Sequence, residues 1–227
     1  MSQAAARLPA PPDGIRPAQL GVVILRRVII GDVAATLVDL SIRRLVRIEE
    51  HDGELGGWVV IPLHATAPRH RRESLLKYER TLLDGLSHSA SAASLPSLAA
   101  RMPDVLERTR TALVHDALHR GWLRHLRAGE RTHAGEQLAS RIRSFQRDLR
   151  RAATEHGADI VTGPLLPYAL RLALIRGDQH PLARFAHRWA ETFAELPGWH
   201  PPEAQSRNPL EEPVPMNNDG PGWPNYW

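Results

Sequence analysis

Apolar positions recur along most of this chain at steps of three and four, interrupted by two short runs of a different rhythm. Pro17 suits the first turn of a helix that carries Leu20, Val23 and Ile24. Asp32 is placed to cap a second helix with an apolar face of Val33, Leu37, Val38, Ile42 and Leu45. Strands are expected at Leu45 to Glu49 and Gly57 to Leu63, joined by the turn sequence HDGELGG. The polar connection HATAPRHRRES covers 64–74.

From Leu75 the order recurs. LLKYERTLLDGL reads as a helix, SHSASAAS as a loop and SLPSLAARM as a short helix. Pro103 and Asp104 open a longer helix that stops at Gly121, with a core stripe of Leu106, Leu113, Ala117 and Leu118. WLRHL then reads as the first strand of a second wing. Helix, helix, strand, turn, strand is the order of a winged helix-turn-helix. The expectation is a mostly α fold with small β-wings: a first winged-helix unit at 16–63, a linker at 64–74 and a second winged-helix-like unit at 75–133. A C-terminal helical region follows at 134–196. Its first helix, about Ala134 to Glu155, carries Leu138, Ile142, Phe145, Leu149 and Ala152, a narrow seam suited to packing along another helix. Segments at Pro164 to Ile175 and Pro181 to Leu196 complete it, the last burying Leu182, Phe185, Trp189, Phe193 and Leu196. Residues 1–15 and the Pro/Trp-rich tail at 197–227 lack periodicity and read as disordered.

Composition removes several function classes. Cysteine is absent, so there is no disulfide framework, thiol nucleophile or Cys-ligated zinc. No run is long and apolar enough to span a bilayer, and the N-terminus has no apolar core of signal-peptide length. A cytoplasmic location is expected. The chain lacks a nucleophile elbow, a Walker-type loop and a dinucleotide fingerprint. His115 and His119 are one helical turn apart, but the metalloprotease pattern is missing. No catalytic residue, metal site or cofactor is expected.

Charge supplies the remaining candidates. The net charge is +4, and 28 of the 29 basic residues are arginine, which pairs bidentately with phosphate and carboxylate. Between Arg120 and Arg151 nine arginines face three acids, and Arg141, Arg143, Arg147, Arg150 and Arg151 form a candidate basic patch for nucleic acid, anionic lipid or an acidic protein. The stretch RHRR at 69–72 is a smaller one. A DNA-reading alternative uses Arg43, Arg44, Arg47, Arg108 and Arg110. Against it, Asp32 and Asp39 stand where a reader presents cations to the groove, and cations late in a helix also suit its dipole. Trp223 and Trp227 are candidate anchors in the tail.

The stretches RPAQLG, DVAATLVDLSIRRLVRIEE, LLKYERTLLDGL, LERTRTALVHDALHRGW, LASRIRSFQRDLRRAATE, LLPYALRLALI and RFAHRWAETF occur in an order that resembles a bacterial family. It is the cytoplasmic C-terminal region of the predicted membrane proteins called domain of unknown function 2207. The interval Leu123 to Ala134 (LRHLRAGERTHA) departs from that family, which carries a hydrophobic spanning pair there. The resemblance therefore implies a soluble relative and carries over no catalytic residue. The expected function is a non-catalytic protein-interaction or scaffold protein with a protein partner. A DNA-binding regulator is the alternative. An accessory peptide-binding subunit of a biosynthetic enzyme, using strand addition at the wing edge, is the third reading.

Overall fold

The computed structural model describes residues 8–12, 14–51, 57–63, 68, 73–88, 93–124, 130–156, 163–175 and 180–194. Among them are eight α-helices and a small antiparallel sheet. The order is α1 (Pro17–Leu25), α2 (Ile30–Ile42), β1 (Val46–His51), β2 (Gly57–Pro62), α3 (Lys77–His88), β3 (Ala93–Ser94), α4 (Leu95–Arg101), α5 (Pro103–His119), α6 (His133–His156), α7 (Leu166–Arg171) and α8 (Pro181–Phe193).

The opening helices form the hub of the molecule. Every residue from Pro17 to Ile24 is buried, and so is every residue from Asp32 to Leu40. The stripe Val33, Ala34, Leu37, Val38 accounts for one side of α2; the small residues Ala35 and Thr36, also buried, lie on the other. α1 packs on α2, α5, α6 and α7, while α2 packs on α1, β1, α7 and α8. One apolar cluster consequently runs from Ile15 to Phe193, across the boundaries read from the sequence. A second cluster, which includes Ala18, Val22, Tyr78, Leu113 and Leu123, seals the outer side of α1.

Helix starts and stops follow local chemistry. α2 begins at Ile30 rather than after Asp32, because Asp32 acts as the third helical residue and its Oδ2 accepts from the Ile29 N–H at 2.8 Å. Three helices end in the same two-bond cap. After α2, Leu45 N donates to Leu40 O and Arg44 N to Ser41 O; after α5, Trp122 N donates to Ala117 O and Gly121 N to Leu118 O; after α7, Leu174 N donates to Ala169 O and Ala173 N to Leu170 O. The turning residue has positive φ in each case: 58° at Arg44, 68° at Gly121 and 54° at Ala173. Glycine, the residue that adopts this conformation without penalty, occupies only Gly121.

β1 and β2 pair from Val46↔Pro62 to His51↔Gly57, and β3 adds to β2 through Val59↔Ser94 and Val60↔Ala93. β3 falls where the sequence reads as loop, since two residues carry no alternation. Where the sequence predicts a second wing, the described residues hold one isolated bridge, Leu123↔Arg131, flanked by Arg124 N to Glu130 O and Thr132 N to Trp122 O. α8 meets the sheet where Trp58 lies edge-on to Phe185 at 5.7 Å, and within α8 Trp189 stacks on Phe193 at 4.2 Å. The interior of the HDGELGG turn, RHRR at 69–72, Leu196, Trp223 and Trp227 lie outside the described residues.

Candidate functional site

Two features stand out chemically: polar junctions buried between helices, and a bare row of arginines. The junctions draw on the motif stretches singled out in the sequence. Arg171 of α7 donates from Nε to Oδ1 of Asp32, whose side chain is fully buried. Gly21 on α1 makes the room, because a Cβ there would collide with both Asp32 and Arg171. Burial pushes the Asp32 carboxyl above the usual range, while Arg171 and the Ile29 N–H pull against it. Nη2 of Arg171 is buried and has no hydrogen-bond partner among the described residues.

The second junction centres on Glu79, also fully buried. Its Oε1 takes Nη1 of Arg43 at 2.8 Å and lies 3.6 Å from Nε of Arg16, and its Oε2 caps α3 by accepting from Leu76 N at 2.8 Å. Arg43 also reaches Asp39 at 2.8 Å. A third junction joins Gln19 Nε2 to Asp116, which holds Arg120 at 3.0 Å; Arg120 in turn lies over the Trp122 ring. Tyr168 donates to Ile15 O at 2.7 Å, and burial, with Asp39 nearby, pushes its phenol up to about 12. Arg131 spans the C-terminal end of α1, donating to Val23 O at 2.6 Å and Ile24 O at 2.8 Å.

These partners relocate the DNA-facing candidates. Arg43 is spent on Asp39 and Glu79 inside the molecule. Arg44 is exposed and, with Arg16, Arg43 and Ser74, lines a depression of about 400 Å³. Arg47 pairs with Glu49 at 2.9 Å, Arg108 turns back to Asp104 O, and Arg110 pairs with Glu107 at 2.7 Å. The five are scattered. Because α2 is buried on every side, it offers no face to a groove, and Asp32 and Asp39 are internal partners rather than surface carboxylates facing phosphate.

The basic patch on α6 is different. Its inner face holds Leu138, Ile142, Phe145 and Leu149 in the core, with Phe145 edge-on to Tyr168. On the outer face Arg143, Arg147, Arg150 and Arg151 follow the spacing i, i+4, i+7 and i+8. Arg147, Arg150 and Arg151 are exposed and Arg143 half-buried; none of the four guanidinium groups has an ion-pair or hydrogen-bond partner among the described residues. Arg141 does not belong to the row. It stands two turns before Asp148 on the same line of the helix and has its own partner.

Comparison with family models, curated proteins and solved structures gives no match to this chain. The functional reading therefore rests on its own residues. His115 and His119 are exposed on α5, and no group of three or more ligating side chains is assembled among the described residues. Among those residues, too, no helix is long and apolar enough to cross a membrane. β1 is an edge strand of the sheet.

The residues missed in the sequence were the junction partners Arg16, Gln19, Glu79 and Arg171. A signal existed for one of them. Leu75, Glu79, Leu82 and Leu86 are spaced four, three and four apart, so Glu79 occupies a core position of an apolar stripe. A carboxylate there needs a buried cation.

Proposed function

We propose that this chain is a non-catalytic interaction protein of the cytoplasm that presents the arginine row of α6 to an anionic partner. The observation that carries the reading is that the guanidinium groups of Arg143, Arg147, Arg150 and Arg151 stand together without partners among the described residues, on a helix whose opposite face is fixed in the core. Four cations held on a rigid element are preorganised for an anionic surface. The remainder of the fold acts as the scaffold that holds α6 in place. Within it, α2 with the β1–β2 hairpin is read as a winged-helix unit, and α5 with its single bridge as an abbreviated second one. The motif order supports kinship with the cytoplasmic region of domain of unknown function 2207. Each quoted stretch from RPAQLG to LLPYALRLALI supplies a polar or apolar partner to the same interior, as Arg16, Asp32, Glu79, Asp116, Phe145 and Arg171 do.

A photo-crosslinking residue placed at Ser144, between the arginines, tests the reading in cells. It should yield adducts that the same probe at Thr111, exposed on α5, does not give. Equal yields at the two positions would refute the assignment of this surface.

A further inference from the structure

We infer that the anionic partner of the α6 row is duplex nucleic acid, gripped through its phosphates without reading of sequence. This rests on the row being the contact surface. Arg143 to Arg151 covers eight helical steps, about 12 Å along the axis, which matches three to four base steps at about 3.4 Å each along a strand. Exposed Ser140 and Ser144 lie on the same outer side, beside the arginines. Guanidinium and hydroxyl donors together are the set that binds phosphate oxygens and positions a protein on a duplex.

What the α6 surface lacks among the described residues favours one anion over the others. Among the described residues Leu8 is the exposed large hydrophobic, and it is not on α6. Protein interfaces derive most of their affinity from aromatic and other anchors set in pockets. Helices that lie on membranes insert an apolar face, and the apolar face of α6 is consumed by the core. Single strands are held by stacking on aromatic side chains, and α6 has only Phe145, which is buried. Duplex phosphates need none of these. Asp148 and Glu155 flank the row on one side, so the footprint is narrow and the number of neutralised phosphates is at most four.

That number gives a measurable slope. Release of counterions from four phosphates makes log K fall with log salt at a slope of about −3.6. The test uses the full chain and a fluorescein-labelled 20-base-pair duplex of arbitrary sequence, followed by anisotropy between about 50 and 200 mM salt. Wild type should bind in the micromolar range at low salt with a slope of about −3 to −4. Arg147→Ala/Arg151→Ala should bind more weakly, with a slope smaller by about 2, at unchanged thermal stability because both positions are exposed. Arg147→Lys/Arg151→Lys should retain the slope.

A wild-type slope in the alanine double variant would place any duplex binding elsewhere and overturn the inference. Phosphatidylglycerol vesicles and poly-L-glutamate provide parallel arms. If either binds through these arginines while duplex DNA does not, the inference falls and the anionic-partner reading stands. If none of the three anions separates wild type from the alanine variant, both fall.

Discussion

Arg171 donates from its Nε to the Asp32 carboxylate and joins α7 to α2 across 139 positions of sequence, in the space that Gly21 leaves on α1. Breaking such a pair on one side strands a buried charge, at a typical cost of about 3–5 kcal/mol. Arg171→Met should therefore lower unfolding free energy by about that amount in urea. Gly21→Ala, which adds a methyl group to the same space, should act in the same direction. A loss under about 1 kcal/mol for Arg171→Met would show that the pair contributes no net stability.

Glu79 serves Arg43, Arg16 and the first turn of α3 at once. Glu79→Ala should destabilise by about 3 kcal/mol or more, since two cations and one N–H lose their acceptor in a buried site. Glu49→Ala is the control: its pair with Arg47 is largely exposed, with a typical value below about 1 kcal/mol. Similar losses for the two variants, measured side by side by chemical unfolding, would contradict the distinction.

The caps at Arg44 and Ala173 hold non-glycine residues in the left-handed region, which costs on the order of 1–2 kcal/mol each. Ala173 is exposed. Ala173→Gly removes that penalty and adds some unfolded-state entropy, for a net gain of roughly 0.5–1 kcal/mol. Differential scanning calorimetry should show a higher Tm; a lower one would mean the cap is not as described.

His180 caps α8, its Nδ1 accepting from Leu182 N at 3.1 Å. Burial, aided by Arg184, holds its imidazole below the ordinary 6.5. The unfolded chain then takes up the proton first as pH falls, so this contribution is present above pH 6.5 and is lost progressively below it. His180→Asn caps without titrating. Its stability, measured from pH 7.5 downward, should fall less steeply with acid than wild type through this window; parallel curves would exclude the role.

The helical stripes were legible in the sequence because each carries its own period. Leu106, Leu113 and Ala117 on α5, and Leu138 to Leu149 on α6, are buried as their spacing requires. Burial of α2 on both sides was not legible. A hydrophobic stripe reports one face, whereas Ala35 and Thr36 on the other side are silent in any periodicity yet are buried, in a helix that packs on both α7 and α8. Asp32 looked like a surface carboxylate because nothing in a local window reveals an arginine 139 positions away; the partner of Asp39, Arg43, is only four residues on, and what its window hides is that Glu79 draws that arginine into the interior. The arginine row was visible as a charge excess. Helical spacing already sets Arg141 apart from Arg143, Arg147, Arg150 and Arg151, and the fold adds that Arg141 has a partner.

The placement of α1 and α2 at the hub also governs how the chain is made. Their apolar surfaces leave the ribosome well before the helices that cover α2, which arrive with Arg171 and Phe193. At about 5–20 residues per second, the 139 positions from Asp32 to Arg171 take roughly 7–28 s to synthesise. During that interval α2 cannot reach its final neighbours. Nascent chains of this protein should therefore be clients of ribosome-associated chaperones until α7 and α8 have emerged.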